Sequence, residues 1–115
     1  MKPDKPSSKE RILHIINAIH LIQEYTYNYS YNDFVSDYKT FDACMYQFTI
    51  IGEATSNIIT TILDKYDYPW YKVKSFRNFI LHEYHAVEDI VIWNTIKDIL
   101  PDLEKLMIQI LEKEF

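Results

Sequence analysis

Four polar side chains with distinct chemistry fall within eight consecutive positions of a stretch that otherwise has the pattern of an apolar helix. Arg77, Asn78, His82 and Tyr84 supply a guanidinium, a carboxamide, an imidazole and a phenol. Arginine binds phosphate groups through pairs of parallel hydrogen bonds, and histidine is the side chain that ordinarily titrates near neutral pH. This combination indicates a site that acts on phosphodiesters.

Cleavage of RNA without a metal ion makes three demands that these residues can meet. The ribose 2′-hydroxyl must lose a proton, the charge on the phosphate must be held, and the leaving 5′-oxygen must gain a proton. His82 suits the proton transfers, Arg77 suits the charged transition state, and Asn78, one helical turn before His82, can orient the imidazole or hold a phosphate oxygen. One chain offers one such histidine for two proton transfers, and a symmetric dimer would bring two copies into one cleft.

The pattern of these four residues, Arg-Asn-x3-His-x-Tyr, resembles that of the HepT-type proteins, a branch of the HEPN superfamily. Three further stretches match the same family in order: Arg-Ile-Leu-His-Ile at residues 11–15, Ile-Ile-Gly-Glu-Ala at 50–54, and Ile-Trp at 92–93 followed by Leu-Pro-Asp-Leu at 100–103. The resemblance therefore covers nearly the whole chain from about Lys9 onward. Four motifs in the right order are far more specific than one short spacing.

The resemblance implies the toxin of a prokaryotic toxin–antitoxin pair of the type VII kind, acting as a dimeric, metal-independent endoribonuclease that cleaves RNA by attack of the 2′-hydroxyl. It implies Arg77, Asn78 and His82 as catalytic residues, and a nucleotidyltransferase antitoxin as the partner. That partner transfers AMP to the tyrosine matching Tyr84, which would put phosphate charge and bulk where RNA must sit. Packing at the dimer interface is the simpler role for Tyr84, and it is compatible with modification of the same residue by AMP.

Structural alternatives exist for several of these residues. Arg77 can pair with an acid such as Glu53, and His82 can be a histidine satisfied near a helix end. His85, outside the family pattern, is either an additional proton-transfer group or a solvent-facing side chain. The competing function for the whole chain is a non-catalytic helical subunit that binds substrate or scaffolds a nucleotidyltransferase.

The net charge of −5 argues at first against a nucleic-acid partner. However, residues 1–82 hold nine basic and nine acidic side chains, whereas residues 83–115 hold three basic and eight acidic ones, so the second part carries the whole excess. Lys72, Lys74 and Arg77 form a local basic cluster, and Lys72, Lys74 and His85 are candidate substrate contacts. A small basic site on an acidic body suits an enzyme that cuts RNA locally.

Composition predicts one domain, residues 9–115, behind a flexible tail of residues 1–8. Hydrophobic residues make up 48% of the 115, enough for a core. The single cysteine, Cys44, excludes an internal disulfide and favours a reducing cytoplasm. No apolar run resembles a signal peptide or a membrane span.

His14 and His20, six residues apart, are not a usual ligand pair, so we expect no metal or other cofactor.

One glycine and four prolines favour long helices, and we predict an all-α, up-and-down bundle of four main helices with a short connecting helix. Ser7 and Glu10 form a capping box for the first helix. The aromatic alternation over residues 25–31 is interpreted as a connection rather than a strand, followed by a helical turn at residues 32–35. The second long helix should run from about Thr40 to Lys65.

Gly52 lies inside that second helix, where glycine costs roughly 1 kcal/mol relative to alanine, so it predicts close approach of another backbone. The third helix should begin at Pro69 and end near Tyr84. The last helix should follow Val87 and be kinked or divided by Pro101. Its buried stripe is predicted at Ile90, Trp93, Ile96, Leu100, Leu103, Met107 and Ile110.

Overall fold

The computed structural model describes residues 5–83 and 86–115, which are all-α and contain no strand. As predicted, four main helical runs dominate: α1 (Ser8–Tyr25), α3 (Tyr38–Ser56), α5 (Trp70–Glu83) and a last run that is divided into α6 (Asp89–Asn94), a π-helical segment (Thr95–Ile99) and α7 (Leu100–Glu114). Two short helices, α2 (Tyr31–Ser36) and α4 (Thr60–Leu63), lie in the connections. Within the described ranges, no helix is long and apolar enough to cross a bilayer.

The core forms where α1 packs against α3 and α7, and where α3 packs against α5. Fully buried side chains come from all three central helices: Ile12, Ile15, Ile19 and Ile22 of α1, Phe48 and Ile51 of α3, and Leu103, Met107 and Ile110 of α7. Cys44 is buried among them, and burial raises the pKa of its thiol to about 12. Because α5 has α3 as its main neighbour, one face of α5 is left toward solvent.

Local signals at the start of the chain are confirmed. The Ser7 hydroxyl accepts a hydrogen bond from the Glu10 amide at 3.2 Å, and the Ser7 amide donates to the Glu10 carboxylate at 3.3 Å. The aromatic run is a connection, in which Asn28 adopts a left-handed φ of 61°, a conformation that asparagine tolerates better than most residues. The predicted helical turn is α2, capped by Ser30 and Asp33.

The predicted end of the second helix is wrong, because α3 stops at Ser56 and the chain restarts as α4. The Asn57 side chain donates to the Glu53 carbonyl oxygen at 2.8 Å, a local bond that competes with helix continuation. The Ile59 amide instead donates to the Ser8 hydroxyl of α1 at 3.1 Å. The apolar periodicity continued through Ile58 and Ile62 and therefore concealed the break.

The last helical run is divided, as Pro101 predicted. Proline has no N–H for the preceding turn, and the five residues from Thr95 to Ile99 form the π-helical segment just before it. The predicted burial of Ile90 is wrong: its side chain is 41% exposed, whereas Ile92 is 7% exposed. The π-helical segment has more residues per turn than an α-helix. Residues before it, including Ile90, are therefore rotated about the helix axis relative to those of α7.

The two tryptophans occupy different surroundings. Trp70 opens α5 and is buried, and its indole N–H donates to the carbonyl oxygens of Leu63 at 3.0 Å and Tyr66 at 3.2 Å. Trp93 of α6 is partly exposed and packs against Phe34, with ring centroids 5.3 Å apart. The Lys97 ammonium lies 4.6 Å from the Trp93 ring centroid, a cation–π contact.

Asp37 caps α3 through hydrogen bonds that favour its charged form. Its carboxylate accepts from the Tyr29 hydroxyl at 2.6 Å, the Thr40 hydroxyl at 2.7 Å and the Thr40 amide at 3.1 Å. These bonds, that from Tyr29 foremost, lower the pKa of Asp37 from 3.8 to about 2. The folded pKa lies below the unfolded one, so this contribution to stability is present above about pH 4 and is lost as pH falls toward 2.

Replacing Asp37 with alanine should therefore lower the thermal midpoint at pH 7, and the difference from wild type should shrink between pH 4 and pH 2. Thermal unfolding followed by circular dichroism at pH 7, 4 and 2 checks this. Asp98→Ala, at an exposed position of the π-helical segment, is the matched control. A difference for Asp37→Ala that is the same at all three pH values would contradict the assignment.

Candidate active site

Gly52 brings α5 against α3 at the position of Arg77. A Cβ atom at residue 52 would lie 2.8 Å from the Arg77 backbone nitrogen, 3.2 Å from the Val73 carbonyl oxygen and 3.3 Å from the Arg77 Cβ. No side chain fits at the first of these distances, so glycine is what permits the contact. The predicted close approach is confirmed, and it fixes where the Arg77 side chain leaves α5.

Arg77 pairs with Glu53, the alternative partner that the sequence suggested. The Arg77 Nε lies 3.2 Å from Glu53 Oε2, and the side chains are 48% and 50% exposed. A pair this exposed contributes little to stability because water screens it. A guanidinium has five N–H donors, so this contact does not use up its capacity for phosphate.

Asn78 and His82 lie one turn apart on the solvent-facing side of α5, and both are exposed. At 3.6 residues per turn, the side chains of Arg77 and His82 leave the helix about 140° apart. Arg77 and Asn78 line two different recesses. A single chain thus presents the three predicted catalytic residues on one helix but does not gather Arg77 and His82 at one point.

The recess beside Asn78 is mainly apolar and has a volume of about 310 Å³. It lies between α3, α5 and the α6–π run, and is lined by Phe48, Lys72, Ser75, Phe76, Asn78, Phe79, Ile80, Val91, Ile92 and Thr95. Lys72, a predicted substrate contact, is exposed at its edge. Lys74, the second such contact, precedes Arg77 by three residues and Asn78 by four, so it lies between them around the helix axis.

Tyr84 and His85, the proposed modification site and the additional histidine, lie outside the described residues. The described part of α5 ends at Glu83, and His82 lies in its last turn. Over residues 5–83 and 86–115, no three His, Cys, Asp or Glu side chains are grouped so as to hold a metal ion. His20 pairs with Glu104 of α7 rather than with His14.

The recess beside Arg77 contains residues to which the sequence assigned no function. It has a volume of about 260 Å³ between α1, α3 and α5, and is lined by Arg11, His14, Thr49, Ile50, Glu53, Ala54 and Arg77. Arg11 and His14 belong to one of the four matching stretches. Their spacing of three residues, which places both on one side of α1, is the signal that could have identified them.

Comparison with known proteins agrees with these features. The sequence matches the family described as ribonuclease HepT-like over residues 15–110. It is 35% identical over 101 residues to a Thermococcus cleftensis protein named as a probable ribonuclease HepT, covering 87% of this chain and 92% of that protein. It is 34% identical over 102 residues to a Caldanaerobacter subterraneus subsp. tengcongensis protein provisionally named as an RNase, covering 88% and 91%.

No solved structure matches this chain significantly. The family match spans most of the sequence and includes the helix that carries Arg77, Asn78 and His82. The chain therefore belongs to the HepT-like ribonuclease family.

Proposed function

We propose that this chain is a metal-independent endoribonuclease that acts as a homodimer in the cytoplasm, as the toxin of a toxin–antitoxin pair. The observation that carries the proposal is the exposed set of Arg77, Asn78 and His82 on α5 in a chain of the HepT-like ribonuclease family. All three side chains are open to solvent, so a polymeric substrate can reach them.

In the proposed reaction, His82 removes the proton from the ribose 2′-hydroxyl, and the 2′-oxygen forms a bond to phosphorus. Arg77 holds the non-bridging phosphate oxygens, whose negative charge increases in the transition state. The bond from phosphorus to the 5′-oxygen then breaks, and the partner subunit's His82 protonates that oxygen. Asn78, one turn from His82, orients the imidazole. The products are a 2′,3′-cyclic phosphate and a 5′-hydroxyl.

The uncovered face of α5 supports the dimer in this proposal. Phe79 of α5 and Val91 of α6 are large apolar side chains that are exposed together at the recess that Asn78 also lines. Apolar side chains grouped in this way commonly mark protein contacts. A second copy seated here would place two motifs in one cleft, which would bring together the Arg77 and His82 that a single chain holds apart.

Cleavage of RNA should proceed in EDTA and should leave 2′,3′-cyclic phosphate ends, because the 2′-hydroxyl is the nucleophile and no metal takes part. Purified protein incubated with an end-labelled oligoribonucleotide, followed by mass spectrometry of the products, checks both points. A strict Mg²⁺ requirement or 5′-phosphate products would contradict the chemistry. A non-catalytic scaffold, the competing function, would leave RNA intact in every buffer.

Incubation with the cognate nucleotidyltransferase and ATP should increase the protein's mass in steps of one AMP, and the groups should map to Tyr84. The added phosphate would compete with RNA for Arg77, so the modified protein should lose RNA affinity and cleavage. Intact-protein and peptide mass spectrometry measure the modification.

Tyr84→Phe should still cut RNA and should escape inactivation by the nucleotidyltransferase. Tyr71→Phe, at an exposed tyrosine of α5, is the matched control and should be modified and silenced like wild type. If Tyr84→Phe were modified and inactivated as fast as wild type, the modification that inactivates the protein would lie on another residue.

A further inference from the structure

The recess between α1, α3 and α5 combines positive charge with access from solvent. Arg11 is partly buried in its wall, His14 is exposed at its edge, and Arg77 contributes a second guanidinium. Among the described residues that line it, Glu53 alone is acidic, and it is paired with the Nε of Arg77. The remaining Arg11 charge makes the recess favourable for an anion.

One hydrogen-bond donor of the Arg11 side chain is unsatisfied. Its Nε is buried and, among the described residues, has no hydrogen-bond partner. A buried donor without a partner is costly, particularly on a charged group. A rotation of the Arg11 side chain toward the recess would bring this donor to an anionic oxygen there, and arginine holds phosphate oxygens with a rigid fork of donors.

A suitably placed aromatic side chain lies beside this recess on α3. Tyr46 precedes Thr49, Ile50 and Glu53 by three, four and seven residues, so it lies on the same face of the helix. Its ring is exposed. Proteins that hold single-stranded nucleic acid combine a basic groove with aromatic rings on which bases stack, and this face of the molecule offers both.

We infer that the Arg11–His14 recess is a phosphate subsite for single-stranded RNA. It would hold the phosphate of a nucleotide next to the one cleaved, with the neighbouring base stacked on Tyr46. Arg77 lines this recess and Asn78 follows it on α5, so the RNA backbone would pass from the recess across α5 toward Asn78 and His82. The inference rests on the proposed function for its substrate, but it concerns binding and can be tested without cleavage.

The test measures binding of a fully 2′-O-methylated oligoribonucleotide, which lacks the attacking hydroxyl, as a function of salt. Arg11→Gln should raise Kd several-fold. It should also make the decrease of the log association constant with log salt less steep by about 0.7, the contribution of one phosphate contact to a single strand. Lys9→Gln is the matched control: it removes the same charge from α1 at an exposed residue about 200° away around the helix. It should leave the slope unchanged.

Two further variants keep the result interpretable. Arg11→Lys should retain the salt slope, because the charge remains. His14→Gln, at an exposed position where folding is not at risk, should also raise Kd and thereby tests the recess if Arg11→Gln does not fold. Equal Kd values and slopes for wild type, Arg11→Gln and His14→Gln would overturn the inference.

Cleavage separates this inference from the proposed function. The two substrates are a long RNA and a dinucleoside monophosphate, which has only the scissile phosphate. The ratio of their kcat/KM values, long to short, should fall at least about threefold in Arg11→Gln and stay constant in Lys9→Gln. If wild type binds RNA through Arg11 but cuts none, the proposed function fails and the subsite stands. If wild type cuts RNA and the Arg11 and His14 variants match it, the subsite fails alone.

Discussion

Replacing His82 with alanine should lower kcat/KM for RNA cleavage by about 10²- to 10⁴-fold, the usual contribution of general acid–base catalysis. Arg77→Ala should cost about 10²- to 10³-fold, as expected when a donor to a transition-state oxyanion is removed. His82 is exposed in the last turn of α5, so its loss should leave the core unchanged. A fluorescent oligoribonucleotide assay gives the rates, and circular dichroism reports the fold.

The control for the imidazole is His20→Ala, which removes an exposed histidine of α1 that is paired with Glu104. It should cut RNA at the wild-type rate. Full activity in His82→Ala would rule out its role in proton transfer. Since the Arg77–Glu53 pair is solvent-exposed, Arg77→Ala should lower the free energy of unfolding by about 1 kcal/mol at most. Unfolding of that variant would instead favour a structural role.

Substituting Gly52 by alanine should both destabilise the protein and reduce cleavage. The new Cβ would lie 2.8 Å from the Arg77 backbone nitrogen, so α5 must move away from α3. Overpacking of this kind costs about 1–3 kcal/mol, more than the roughly 1 kcal/mol that alanine gains over glycine in a helix. Displacement of Arg77 by even about 1 Å should lower cleavage on the order of 10²-fold.

Urea denaturation and the cleavage assay measure the two effects in the same preparation. Ser56→Ala, one turn later on α3, is the control, because it removes only a hydroxyl that bonds to the Gly52 carbonyl oxygen at 3.0 Å. It should change the free energy of unfolding by about 0.5 kcal/mol or less. A Gly52→Ala protein as stable and active as wild type would mean that the α3–α5 contact is not required.

The helix cap at Ser7 and the close approach at Gly52 were predictable from the sequence, whereas the end of α3 was not. Ser7 and Glu10 form their cap within one turn, and a glycine inside a helix predicts close approach of another backbone without specifying which one. After α3 ends at Ser56, a local bond from Asn57 to the Glu53 carbonyl oxygen is joined by one from the Ile59 amide to Ser8, 51 residues earlier. A periodicity that continues across a break cannot reveal such a bond.

The same distinction applies to the candidate site. The residue types and spacing of Arg77, Asn78 and His82 identified the helix, and the structure places all three on its exposed surface. The separation of Arg77 from Asn78 into two recesses depends on how α5 packs against α3, which spacing alone does not specify. The roles of Tyr84 and His85 stay predictions.

Because the two tryptophans have different surroundings, tryptophan fluorescence can be used to monitor α5. Trp70 is buried at the start of α5 with its indole bonded to two carbonyl oxygens, whereas Trp93 lies partly exposed beneath Lys97. A Trp93→Phe chain would keep one tryptophan, at the end of α5 opposite His82. Its emission wavelength would report the contact between the start of α5 and residues 63–66, so movement of this end of the helix can be followed in real time without an attached dye.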